Sequence, residues 1–70
     1  MRLRLKDMRE DRDIKQKALA EYLNISQNTY SYYENGRHQI PLEVLARLAD
    51  YYGVSVDYLL GLTDNPKRNY

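Results

Sequence analysis

The stretch from Gln16 to Glu34, QKALAEYLNISQNTYSYYE, constrains this chain more than any other part of it. Apolar residues at Ile14, Ala18, Leu19, Tyr22 and Leu23 keep to one face of a helix of period near 3.6, and the pattern stops at Asn24. Asparagine is the usual substitute for glycine where a sharp turn needs positive φ, because its short amide bonds locally. The pattern therefore predicts a helix with Lys15, Lys17 and Glu21 left to water, then a hinge at Asn24. Ile25 drops toward the core, and Ser26 caps a second helix from about Gln27 to Glu34. Ala20, small and off the stripe, suits a second helix crossing closely at a steep angle. Two short helices joined by one tight turn form a helix-turn-helix.

In the second helix Tyr30 and Tyr33 point inward and Thr29 is partly covered, leaving Gln27, Asn28, Ser31 and Tyr32 outside. That outer face is polar and uncharged. Carboxamides can bond bidentately to adenine N6 and N7, and hydroxyls suit several base edges, so these residue types fit the reading of a DNA major groove. On pattern alone the alternative is an ordinary solvated helix face, although such a face more often carries Lys and Glu.

The remainder completes one small all-α domain. Five helices are expected in all. After the loop Arg37-His38-Gln39-Ile40-Pro41, the residues Val44, Leu45, Leu48, Ala49 and Tyr52 make the buried stripe of a fourth helix, with Pro41 in its first turn and Gly53 as its stop. Ser55 caps a last short helix through Val56, Leu59 and Leu60, ended by Gly61. Residues 63–70, TDNPKRNY, are polar and aperiodic and are expected to form a flexible tail beyond a domain at 1–62. The functional alternative for the tail has Lys67 and Arg68 touching DNA or a partner.

Seventy residues close one core and little more. With neither Phe nor Trp, the interior must come from aliphatic residues and the eight Tyr, whose buried hydroxyls need partners. The absence of cysteine excludes disulfides and thiolate metal sites, and a single histidine, His38, excludes a paired-imidazole one. Asp50 and Asp57 stand on helix surfaces without a nucleophile, and Asn35-Gly36-Arg37 is too short to cradle a nucleotide. No enzyme activity, cofactor or metal is expected. No run approaches the ~20 apolar residues of a membrane span, and Met1-Arg2-Leu3-Arg4 is followed by mixed charge rather than an apolar core, so a cytoplasmic, nucleoid-associated protein is expected. Net charge is only +1, which counts mildly against a nucleic-acid binder. Its distribution softens this: residues 1–40 hold eight basic against six acidic side chains, residues 41–70 three against four.

Gln16, Leu19, Ala20, Leu23, Ile25, Ser26, Tyr30, Ser31, Glu34, Asn35, Gly36, Pro41, Leu45, Leu48, Ala49 and the run Gly53 to Leu60, GVSVDYLL, together resemble the Cro/CI-type (Xre-family) DNA-binding domain of phage repressors and small bacterial regulators. The resemblance spans about Leu5 to Leu60 and implies a compact five-helix, lambda-repressor-like fold, with helices 2 and 3 as the helix-turn-helix. It implies that Gln27, Asn28 and Tyr32 reach base edges. It also implies that Gln16, Ser26, Thr29, Ser31, Asn35 and Arg37 touch the DNA backbone, and that Arg9 and Glu34 form a structural ion pair. A direct Arg9 to phosphate contact is the alternative. The chain departs from the family at Asp13, where Gly is usual, and at Lys15, where a Ser or Thr cap is usual. Gln39 and Leu42 stand at positions that are often basic.

The expected function is sequence-specific binding of double-stranded DNA by a small transcriptional regulator, a repressor in the first instance, acting as a homodimer at least on DNA. Val56, Tyr58, Leu59 and Leu62 are the candidate dimer contacts, though the same residues could simply finish the core. An antitoxin-like regulator that also binds a protein partner, through Tyr51 and Tyr58 if exposed, is the second reading. A protein-interaction module that has kept the fold without reading DNA is the third.

Overall fold

The computed structural model describes residues 3–68. Five helices follow in order: α1 (Leu5–Asp11), α2 (Gln16–Leu23), α3 (Gln27–Glu34), α4 (Leu42–Tyr52) and α5 (Val56–Leu59). Among the described residues none is long and apolar enough to cross a membrane.

What ends these helices is the same device five times. Asp13, Asn24, Gly36, Gly53 and Gly61 all have positive φ, and each sits just past one helix. The amide of each positive-φ residue bonds back three residues and the next amide bonds back five, as in Asn24 to the Glu21 carbonyl (3.1 Å) and Ile25 to the Ala20 carbonyl (3.0 Å). This is the Schellman closure, which satisfies orphan carbonyls and reverses the chain within two residues. Asp13 and Asn24 accept the left-handed conformation without glycine, at φ 56° and 59°.

The reversals fold the helices onto one core of Leu5, Met8, Leu19, Ala20, Leu23, Tyr30, Leu48, Ala49, Tyr52, Val54 and Leu59. α2 packs chiefly against α3, and α4 against α5. Arg47 of α4 then clamps the end of α2: its Nη1 donates to the Leu23 carbonyl (3.2 Å), its Nη2 to the Tyr22 carbonyl (2.7 Å), and the Tyr22 hydroxyl returns a bond to the Arg47 carbonyl (3.2 Å). Arg4 does the same at the far end. Its Nε donates to the Tyr58 carbonyl (2.9 Å) and its Nη2 to the Thr63 carbonyl and to Asp64, closing α5 against the N-terminal segment.

Several expectations from periodicity need correction. Ala18 and Tyr22 are exposed rather than part of the buried stripe, because the buried face of α2 is carried by Leu19, Ala20 and Leu23. Tyr22 instead packs against Tyr51, with ring centroids 4.9 Å apart and planes tilted by 52°, under the Arg47 guanidinium. Tyr33 is only half-buried. Pro41 is the N-cap of α4 rather than a residue of its first turn. Leu59 is fully buried, so its side chain is core and not available as a dimer contact. The segment 63–68, expected as part of a free tail, makes contacts with the domain: the Ser55 amide donates to the Pro66 carbonyl (3.1 Å), and Arg68 pairs with Asp50. Residues 69 and 70, the end of that expected tail, lie outside the described residues.

Candidate nucleic-acid interface

α3 begins at a working cap. Ser26, extended at φ −71° and ψ 154°, accepts the Thr29 amide on Oγ (3.1 Å) and donates its hydroxyl proton to Thr29 Oγ1 (2.8 Å). The helix is therefore started without spending any residue of its outer face. Gln27 and Asn28 are exposed there, and Ser31 and Tyr32 are half-exposed, while Tyr30 is completely buried on the opposite side.

The one acidic residue of α3 is withdrawn from this face. Arg9 Nε donates to Glu34 Oε2 (2.9 Å) and Arg9 Nη2 to Glu34 Oε1 (3.0 Å), the Gln16 amide adds a bond to Oε1 (3.2 Å), and the Glu34 side chain is 1% exposed. Burial by itself would raise the Glu34 carboxyl above the usual range, but the bonds from Arg9 and Gln16 and the nearby Tyr30 phenol outweigh it and hold the carboxyl lower. The hydrogen bond to Glu34 also raises Arg9 further, against the opposing effect of its burial. Burial, with the Glu34 charge behind it, pushes the Tyr30 phenol far up, so it stays neutral. Its hydroxyl faces that carboxylate electrostatically without reaching hydrogen-bond geometry. α3 thus presents amides, hydroxyls and a phenol but no negative charge.

Arg9 has a third engagement, from Nη1 to the Ile14 carbonyl (2.9 Å), so its donors face inward rather than toward a phosphate. Gln16 opens α2 with its amide turned to Glu34. Asn35 caps the end of α3 and donates from Nδ2 to Ser31 Oγ (3.3 Å), while Arg37, His38 and Gln39 follow as an exposed loop. Of the other candidate contacts, Val56 and Tyr58 are half-buried and Leu62 is 61% exposed. Tyr58 lies beneath the Arg4 guanidinium, 4.5 Å from its ring centroid.

Residue patterns passed over one relation. The Tyr32 and His38 rings pack 4.8 Å apart, with the Arg37 guanidinium 5.9 Å from the same Tyr32 ring. The signal was present in Asn35-Gly36: a glycine closing α3 turns the chain back over the last turn of the helix.

A profile described as helix-turn-helix matches residues 5–59. The uncharacterized HTH-type transcriptional regulator YobD of Bacillus subtilis is 43% identical over 63 residues, which are 90% of this chain and 56% of that protein. The HTH-type transcriptional regulator ImmR of the same organism is 41% identical over 66 residues, 94% of this chain and 52% of its own length. The cryptic phage CTXphi transcriptional repressor RstR of Vibrio cholerae is 35% identical over 57 residues, 81% of this chain and 51% of the relative. The chain spans about half the length of these curated relatives. No solved structure matches it significantly.

Proposed function

Since this chain belongs to the Cro/CI-type (Xre) helix-turn-helix family, we propose that it binds double-stranded DNA sequence-specifically as a transcriptional regulator, a repressor in the first instance, without catalytic activity. The observation that carries this is the outer face of α3. Its side chains are free of negative charge because Glu34 is sequestered by Arg9 and Gln16, and its exposed amides at Gln27 and Asn28 have the donor and acceptor pattern that base edges require. In this reading Gln27, Asn28 and Tyr32 contact bases. Gln16, Ser26, Thr29, Ser31, Asn35 and Arg37 set register on phosphates and sugars. The protein works in the cytoplasm, on the nucleoid.

Each copy has one recognition helix in a body of 30 × 21 × 21 Å, so a two-fold operator with half-sites roughly 34–36 Å apart calls for a homodimer. Val56, Tyr58 and Leu62 are its proposed contacts. A second reading adds a protein partner, favoured by the packed pair Tyr22 and Tyr51, 38% and 43% exposed, since tyrosine is enriched at interfaces.

The test is selection of bound sequences from a random duplex pool, with the winner titrated at two salt concentrations. The expected winner is two-fold symmetric and bound far more tightly than random DNA. Absence of enrichment, with weak and salt-sensitive binding alone, overturns the reading and leaves a protein-interaction module.

A further inference from the structure

We propose that His38 is a positioning residue for base readout: packed on Tyr32 from the loop after α3, it holds the tyrosine ring in the one orientation that meets a base edge. The proposal rests on the DNA-reading function above.

The arrangement follows from the closure of α3. Gly36, at φ 75°, reverses the chain, and both the Arg37 amide (2.8 Å) and the His38 amide (3.4 Å) then converge on the carbonyl of Tyr32 itself. The two loop residues are therefore tied by their backbone to the residue whose ring they touch. His38 packs at 4.8 Å with its plane tilted by 40°, and Arg37 lies 5.9 Å from the same ring centroid. Both geometries are attractive for an aromatic ring. A half-exposed tyrosine on a helix otherwise moves among staggered χ1 positions, and each lost on binding weakens the complex. A ring held before DNA arrives avoids that loss, and only the operator with the matching base gains from it. His38 is itself exposed and follows Arg37 directly, so a direct phosphate contact by its imidazole is the competing role. The two roles differ in what they do to specificity.

The experiment compares wild type, H38A, H38F, Y32A and the Y32A/H38A double variant, each titrated with the selected operator, with single-base-pair variants of it, and with random duplex. H38A is expected to lose about two- to tenfold in discrimination. The loss should fall at the same base pair where Y32A loses it, with affinity for random DNA and salt slope unchanged. H38F, which keeps a packing ring without a ring nitrogen, restores discrimination, and H38A has no further effect in the Y32A background. A uniform loss on all DNA with a shallower salt slope makes His38 a phosphate contact and overturns the proposal. So does unchanged discrimination in H38A, or failure of H38F to restore it. A pool in which the wild-type chain selects no sequence overturns the DNA-reading premise and the proposal together, whereas a selected operator that H38A reads like wild type overturns the proposal alone.

Discussion

Arg9 grips Glu34 at two points, Nε on Oε2 at 2.9 Å and Nη2 on Oε1 at 3.0 Å, across 25 positions of sequence, and this pair joins α1 to the last turn of the recognition helix. With Nη1 on the Ile14 carbonyl, the same guanidinium also holds the turn between α1 and α2. One side chain thereby ties α1, the α1–α2 turn and the end of α3 together and keeps the helix's only carboxylate off its outer face.

Glu34→Gln keeps the shape and removes the charge, leaving Arg9 without its counter-ion. The expected cost is about 1.5–3 kcal/mol, the range for hydrogen bonds to charged groups, read as a lower thermal midpoint. An unchanged midpoint would show that the pair does not stabilise the domain. The same pair makes the wild type acid-sensitive. Because the folded carboxyl is held below the ordinary glutamate value of about 4.3, its contribution is complete above that pH and is lost as the pH falls through the lower folded value. The wild type should therefore lose stability below about pH 4 more steeply than Glu34→Gln.

The two helices of the motif start differently, and the difference can be exploited. Ser26 caps α3 through its hydroxyl, whereas Lys15, extended at φ −82° and ψ 148°, offers α2 no side-chain bond. Ser26→Ala should cost about 1 kcal/mol, and Lys15→Ser should gain about 0.5–1 kcal/mol by supplying the missing acceptor to backbone already in the right conformation. Denaturant midpoints measure both.

Gly36→Ala tests the reversal at the end of α3. A Cβ there meets nothing within 4 Å, so the whole penalty is the left-handed backbone at φ 75°. About 1–2 kcal/mol of stability should be lost, and Gly36→Asn should lose less, because asparagine tolerates this region. Equal losses for the two variants, read from urea midpoints, would count against a conformational origin.

At the alkaline end Tyr52 matters. Burial first, then the neighbouring Tyr51, pushes its phenol up to about 12, and its hydroxyl has no hydrogen-bond partner. Its contribution is present in full below the unfolded value of about 10 and fades as the pH rises through the folded one. Tyr52→Phe removes an unpaired polar atom while keeping the ring. Stability at pH 7 should be equal or higher, and the decline above about pH 10 should be shallower, with Tyr30 supplying what remains.

Readers and positioners should separate by mutation. Gln27→Ala should cost about 1–3 kcal/mol on the selected operator and change preference at one base pair, whereas Arg37→Ala should weaken binding to every sequence and reduce the salt slope by about one. Titrations against operator and random duplex at several salt concentrations distinguish the two patterns. Identical behaviour would refute the division.

Most of the fold was legible because its decisive signals are local. Asn24, Gly53 and Gly61 mark helix ends by backbone conformation, Ser26 and Ser55 mark starts by a hydroxyl three residues from its amide, and each acts within one turn of chain. The polar face of α3 was legible for the same reason, since a helix once bounded assigns its own faces. Glu34 was paired with Arg9 through family resemblance and not through any pattern in the residues. What periodicity misjudged was the width of the buried stripe on α2: Tyr22 left the core to meet Tyr51 and Arg47, which are 29 and 25 residues away. Leu59 went the other way, from expected contact surface to full burial.

The sequence by itself determined where α2 and α3 meet, where α4 and α5 stop and which side chains α3 can offer, because each depends on residues within a turn of one another. Only the tertiary structure decided which of those side chains are held, hidden or left free. Arg47 reaching the end of α2, Arg4 closing α5, Glu34 drawn under Arg9 and Tyr32 braced by His38 depend on how the packed core orients one helix against the next, and on where each reversed chain comes to rest.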